Sequence, residues 1–197
     1  MFQTKRSRVR ALAGVGMAAV VAGIGTVTFN ASAAEAPIVA PAAVGPEARA
    51  VSIPGIPADL KPPKGSKPIG AYVVTAGTQN YTCTAAGAYT APSTPEAQLV
   101  GTGGRIHHFG GPSWQSLRDK SLVTAVKKVA GPDRKGTIPE LLLEINSHTG
   151  TGILSKADYI SRLHTSGGAA PAGSCAAGQV VKVKYGAVYV FWDAPAV

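Results

Sequence analysis

Residues 180–191 read VVKVKYGAVYVF, and their alternation decides the fold class. Val181, Val183, Tyr185, Ala187, Tyr189 and Phe191 fall on one face at period two, while Lys182 and Lys184 point the other way. That is a half-buried strand, long and rich in β-branched and aromatic residues. Moving outward from it, the same texture recurs in short segments: Gly70–Ala76, Asn80–Ala85, Gln98–Val100, Arg105–Phe109, Leu122–Val129, Ile138–Ile145 and Tyr159–Thr165. Turn signals separate nearly all of them, at Ala76-Gly77-Thr78, Gly103-Gly104, Gly110-Gly111-Pro112, Gly131-Pro132-Asp133 and Gly167-Gly168. Only Ser155–Leu163 offers a competing helical turn. Many short strands at roughly ten-residue spacing predict an all-β domain, a single β-sandwich or small barrel with long loops.

The beginning of the chain has a different character. Lys5, Arg6, Arg8 and Arg10 precede an apolar, glycine-broken stretch from Ala11 to Phe29, and Ala31-Ser32-Ala33 forms a small-residue triplet. This order predicts a secretion signal over 1–33, cleaved between Ala33 and Ala34; an uncleaved anchor is the alternative. No other stretch is long and apolar enough to span a membrane. Eight prolines follow between residues 34 and 68. Residues 34–52 therefore read as a Pro/Ala-rich disordered spacer, and Ile53, Ile56 and Leu60 as an extended path against the domain. The folded domain is expected over 53–192, with a short tail at 193–197.

Charge narrows the classes of partner. The formal net charge is +9, and the signal carries four basic residues and no acid, so the exported chain keeps +5. With no like-charge run longer than Lys127-Lys128, this excludes a nucleic-acid binder and leaves anionic wall polymers or polysaccharide as partners. Cys83 and Cys175 are the only cysteines. In an oxidising compartment two cysteines most simply form one disulfide; the alternative, free thiols or a metal pair, lacks the close C-x-x-C spacing of metal sites.

Catalytic motifs fail one by one. Gly101-Thr102-Gly103-Gly104 lacks the third glycine of a dinucleotide fingerprint, and Gly131–Gly136 lacks the Lys-Ser/Thr ending of a phosphate loop. Gly111-Pro112-Ser113-Trp114-Gln115 lacks the second glycine of an esterase elbow. No cofactor is implied, and neither catalytic nor metal-ligating residues are assigned. The densest chemistry lies between His107 and Asp119. His107 and His108 must point to opposite faces of a strand, so at most one serves a given cleft. The candidate binding residues are His108, Trp114 and Asp119. Either His108 packs at a strand end under Trp114, or it contacts a ligand; His148 and His164 could join it only through the fold. Aromatic residues of this kind are more often core, and of them Trp114 alone, in a Gly-Pro loop, offers the alternative of an exposed platform for a sugar ring.

Several stretches, taken in order, resemble a known family: GTQNYTC at 77–83, HFGGPSW at 108–114, Ile138-Pro139 running into Leu141-Leu142-Leu143, TSGGAAP at 165–171 before Cys175, and Tyr185–Phe191. They resemble the secreted family catalogued as domain of unknown function 3455. The resemblance implies a secreted bacterial or fungal β domain without an established activity, with Cys83 and Cys175 at the family's cysteines and His108 at its histidine. Two places depart from the pattern. Glu140 stands where an aromatic residue is common, and Asp119-Lys120-Ser121 where a D-G-S turn is. The malate dehydrogenase label carried by some relatives has no support in these residues. The reading is a secreted, non-catalytic module of the cell envelope or extracellular polysaccharide. The alternatives are a small hydrolase or metal-dependent enzyme centred on His108, and a secreted interaction or toxin-like protein.

Overall fold

The computed structural model describes residues 55–196. The signal expected over 1–33, its Ala33/Ala34 cleavage point, the spacer over 34–52 and Ile53 lie outside them. Eight strands follow one another: β1 (Lys67–Thr82), β2 (Thr94–Gly101), β3 (Gly104–Phe109), β4 (Ser113–Ser116), β5 (Leu122–Ala130), β6 (Leu141–Thr149), β7 (Tyr159–Gly167) and β8 (Val180–Asp193). Each pairs antiparallel with the next, and β8 returns to pair with β1, closing a barrel. Of the two expected architectures the barrel is the one formed, and closure leaves no strand edge unpaired. Among the described residues no helix is long and apolar enough to cross a membrane.

Three local expectations need correction. The turn expected at Ala76-Gly77-Thr78 is absent: β1 runs through it as one strand of 16 residues, with a bulge between Val74 and Ala76 against β2. Gly77 is there for room, since a Cβ on it would meet Tyr185 Cε1 and Val74 Cγ1 at 2.8 Å. A glycine inside a strand marks a bulge or close approach as readily as a turn. Next, β6 starts at Leu141 rather than Ile138, because Pro139 has no N–H for a ladder. Finally, Ser113–Ser116 is a strand, and it carries Trp114 inside the barrel at 1% exposure. Of the two readings of Trp114, the packed one holds and the exposed platform does not.

The period-two face of β8 points inward as read. Tyr185, Ala187, Tyr189 and Phe191 belong to an interior cluster with Tyr72, Leu99, Ile106, Trp114, Val123 and Ile160. The two ends of the barrel differ. At one end the β6–β7 loop folds inward as a plug, burying Leu154 and Ala157. At the other, four loops surround a mouth, and the Cys83–Cys175 disulfide joins the β1–β2 loop to the β7–β8 loop. A second apolar cluster lies on the outer wall, where Leu60, from a short 3-10 turn (Ala58–Leu60), covers Leu142, Leu163 and Val190 with Ile56 alongside. Ser161 Oγ fixes that cover by donating to the Leu60 carbonyl at 3.0 Å and accepting from Trp192 Nε1 at 3.0 Å.

Candidate functional site

Below the mouth the interior is not filled. A cavity of about 660 Å³ opens there, with Ala125, Ile138, Leu141 and Leu143 in its apolar wall. An eight-stranded barrel is just wide enough either to pack solid or to leave room for one small ligand; this one packs solid at one end and is hollow at the other. The volume is that of a typical small-molecule site.

The β3–β4 hairpin, turning through Gly110-Gly111-Pro112, sets His108 directly opposite Trp114. Facing residues of an antiparallel pair share a face, so both side chains point inward. Their rings stack, with centroids 4.2 Å apart and planes 6° from parallel, and Tyr189 closes on both edge-on. His108 Nδ1 lies 2.8 Å from the Ser113 carbonyl oxygen. A carbonyl only accepts, so Nδ1 carries the proton and Nε2 of the neutral ring is an acceptor. Burial opposes the charged form and holds His108 down at about 3. The Tyr189 and Tyr185 hydroxyls are likewise pushed up by burial and stay protonated.

Several other polar groups around the cavity are donors. The indole N–H of Trp114 has no acceptor among the described residues. With the Gln79 amide oriented so that Oε1 takes the Ser93 hydroxyl, its Nε2 has none either. Arg162, on the inward face of β7 beside Ile160, donates from Nε and Nη2 to the Pro139 carbonyl at 3.0 and 2.8 Å. Lys127 stands in the wall contributed by β5. No Asp or Glu lines the cavity, and among the described residues neither Arg162 nor Lys127 is in an ion pair.

Asp119 is elsewhere. It sits in the β4–β5 turn at the plugged end, where Oδ1 accepts from Ser121 N and Oγ and Oδ2 from Ile153 N. Burial would raise its carboxyl, but the hydrogen bonds from Ser121 and Ile153 prevail and hold it at about 2. Its work is to tie the turn to the plug. Lys120 beside it has φ +64°, the left-handed conformation that glycine adopts freely, so the D-G-S geometry persists without the glycine. Glu140, the other departure, accepts from Arg134 Nη2 at 3.1 Å and His164 N at 2.8 Å. The remaining histidines do not converge on His108. His107 faces out to Glu96 at 2.7 Å, His148 Nε2 bonds the Ala157 carbonyl at 2.7 Å, and His164 is exposed. Among the described residues no three His, Cys, Asp or Glu side chains cluster as metal ligands would.

Thus His108 and Trp114 share a site, and Gln79, Arg162 and Lys127 join them without having been singled out by sequence. One signal was present: an arginine at an inward period-two position of an apolar strand.

Burial of a neutral histidine has a pH signature. Unfolded, His108 takes up a proton near 6.5; folded, only near 3. Between those values the unfolded chain binds the extra proton, so stability is full above about 6.5 and falls as pH drops, by up to about 1.4 kcal/mol per unit. We expect a loss of about 2–3 kcal/mol between pH 6.5 and 4.5 in urea unfolding, and a flatter profile for His108→Phe. The lowered carboxyls of Asp119 and Glu144 act below this window. An identical slope in both proteins would mean that His108 is not the group responsible.

No curated protein and no solved structure matches the chain. Residues 96–193 match the family described as "Protein of unknown function (DUF3455)". The match begins at Glu96, leaving β1 and Cys83 outside, and runs to the last residue of β8 with His108, Trp114, Lys127 and Arg162 inside it. On that match, residues 96–193 belong to the DUF3455 family.

Proposed function

We propose that this is an exported, non-catalytic binding protein that holds a small ligand inside its barrel. The observation that carries the reading is the cavity of about 660 Å³ at the end of the barrel opposite the plug, beside the disulfide-braced mouth. Export is supported by the signal-like residues 1–33 and by the disulfide, which persists in oxidising compartments. Residence at the cell envelope is consistent with the charge of +5 left after the signal. Stacking of a polysaccharide on Trp114 gains no support, because that ring is inside.

The geometry also speaks against a hydrolase centred on His108. A base held near 3 has little pull on a proton at neutral pH. The serine next to it offers His108 its carbonyl, while its hydroxyl donates to the Gly110 carbonyl at 3.1 Å. No nucleophile is activated in that arrangement.

Titration of the purified protein with N-phenyl-1-naphthylamine, a neutral apolar fluorophore, tests the reading. Saturable binding of about one probe per chain is expected, lost or much weakened in Ala125→Phe, whose ring would occupy the cavity. Absence of saturable binding by the wild-type protein would overturn it.

A further inference from the structure

Resting on the binding role proposed above, we infer that the ligand is an amphipathic carboxylate, with its apolar body against the leucine wall and its anionic head on Arg162. The case starts from charge balance. A guanidinium turned into a protein interior is expensive unless compensated, and no carboxylate among the described residues lies within ion-pair distance of Arg162. The Pro139 carbonyl takes two of its N–H groups. Of the five that a guanidinium carries, three are left to donate. Its neighbours do not supply a negative charge: His108 is neutral, and Tyr185 and Tyr189 keep their protons. The missing partner is an anion from outside.

The rest of the cavity narrows the class. Trp114 Nε1 and Gln79 Nε2, buried in the wall without an acceptor among the described residues, leave two more unpaired donors and no acceptor of a cation there. Lys127, exposed on β5 and without an ion pair among the described residues, adds positive potential beside the cavity and would draw anions toward it. Ile138, Leu141, Leu143 and Ala125 offer nothing to a second charge. A ligand with one compact anionic group and an apolar body satisfies all of these at once. A cation, or a sugar with hydroxyls on every side, does not.

Displacement of N-phenyl-1-naphthylamine by decanoate, methyl decanoate and decyltrimethylammonium, at fixed ionic strength, separates the possibilities. Decanoate is expected to bind about tenfold or more tighter than its methyl ester, as a charge-assisted bond to arginine predicts, and the ammonium ion least well. Arg162→Met should erase the difference between acid and ester, and Lys127→Met should reduce it. Should Arg162→Met fail to fold, the acid-to-ester ratio of the wild type and the Lys127→Met variant decide. Equal binding of acid and ester, or a folded Arg162→Met that retains the full preference, would overturn the inference while the cavity reading stands. Failure of the neutral probe itself would instead overturn the cavity reading.

Discussion

Trp114→Ala is expected to lower the unfolding free energy by about 3–5 kcal/mol, the range for removing a buried aromatic side chain. The indole is 1% exposed and lies on His108 at 4.2 Å, with Tyr189 and Phe191 meeting it edge-on at 5.8 and 6.4 Å. Alanine cannot fill that space, and β4, with four residues, is too short to collapse into it. Urea unfolding should show an earlier midpoint at nearly constant slope. A second effect follows on the stacked partner. Water admitted beside His108 relieves its desolvation, so the loss of stability between pH 6.5 and 4.5 should shrink. Trp114→Phe should retain most of both properties. If the alanine variant loses less than about 1 kcal/mol, the ring is not the keystone of the interior that its contacts describe.

Breaking the Cys83–Cys175 bridge is the other large change expected. The two cysteines are 92 residues apart, and closing a loop of that length restricts the unfolded chain by about 4–5 kcal/mol on chain-entropy reasoning. Cys83→Ser with Cys175→Ser should approach that loss in urea unfolding at pH 7. Part of the local order should remain, because Cys175 N donates to Gly87 O at 3.0 Å and Cys83 N to Gln179 O at 2.8 Å. Those bonds hold the mouth only while its loops stay near one another. Release of a bound fluorophore should therefore quicken in the double variant even where the barrel remains folded. A loss below about 1 kcal/mol would mean that the unfolded chain keeps the two loops together without the bridge.

How much of this was legible in the sequence varies with the range of the interaction. The strand faces were legible because period-two alternation is a local property of the backbone. Tyr185, Tyr189 and Phe191 therefore read as interior from β8 alone, and His107 and His108 as opposed. The disulfide was legible because two cysteines leave one pairing. Gly77 misled, since a glycine needed for close packing and one needed for a turn look alike until Tyr185 and Val74 are seen beside it. Trp114 misled because Gly-Gly-Pro before it suggested a loop, whereas a tight hairpin uses the same residues to send the next four back along β3.

The candidate site divides the same way. His108 and Trp114 are six residues apart, and one hairpin brings them together. Asp119 is five further on, but the strand that holds Trp114 carries it to the opposite end of the barrel, where it holds the plug. Arg162 and Gln79 are distant in sequence and meet His108 only because the sheet closes.

By itself, then, the sequence determined an all-β domain with alternating strands and a single possible disulfide. Both depend on local periodicity, composition or counting. The tertiary structure alone decided that the sheet closes into a barrel rather than splitting into a sandwich, that one end is plugged and the other hollow, and that an arginine without a carboxylate faces that hollow. Those follow from the pairing of β1 with β8 and from side chains as far apart in the chain as Tyr72 and Phe191 sharing one interior. No local pattern encodes which distant residues will share it.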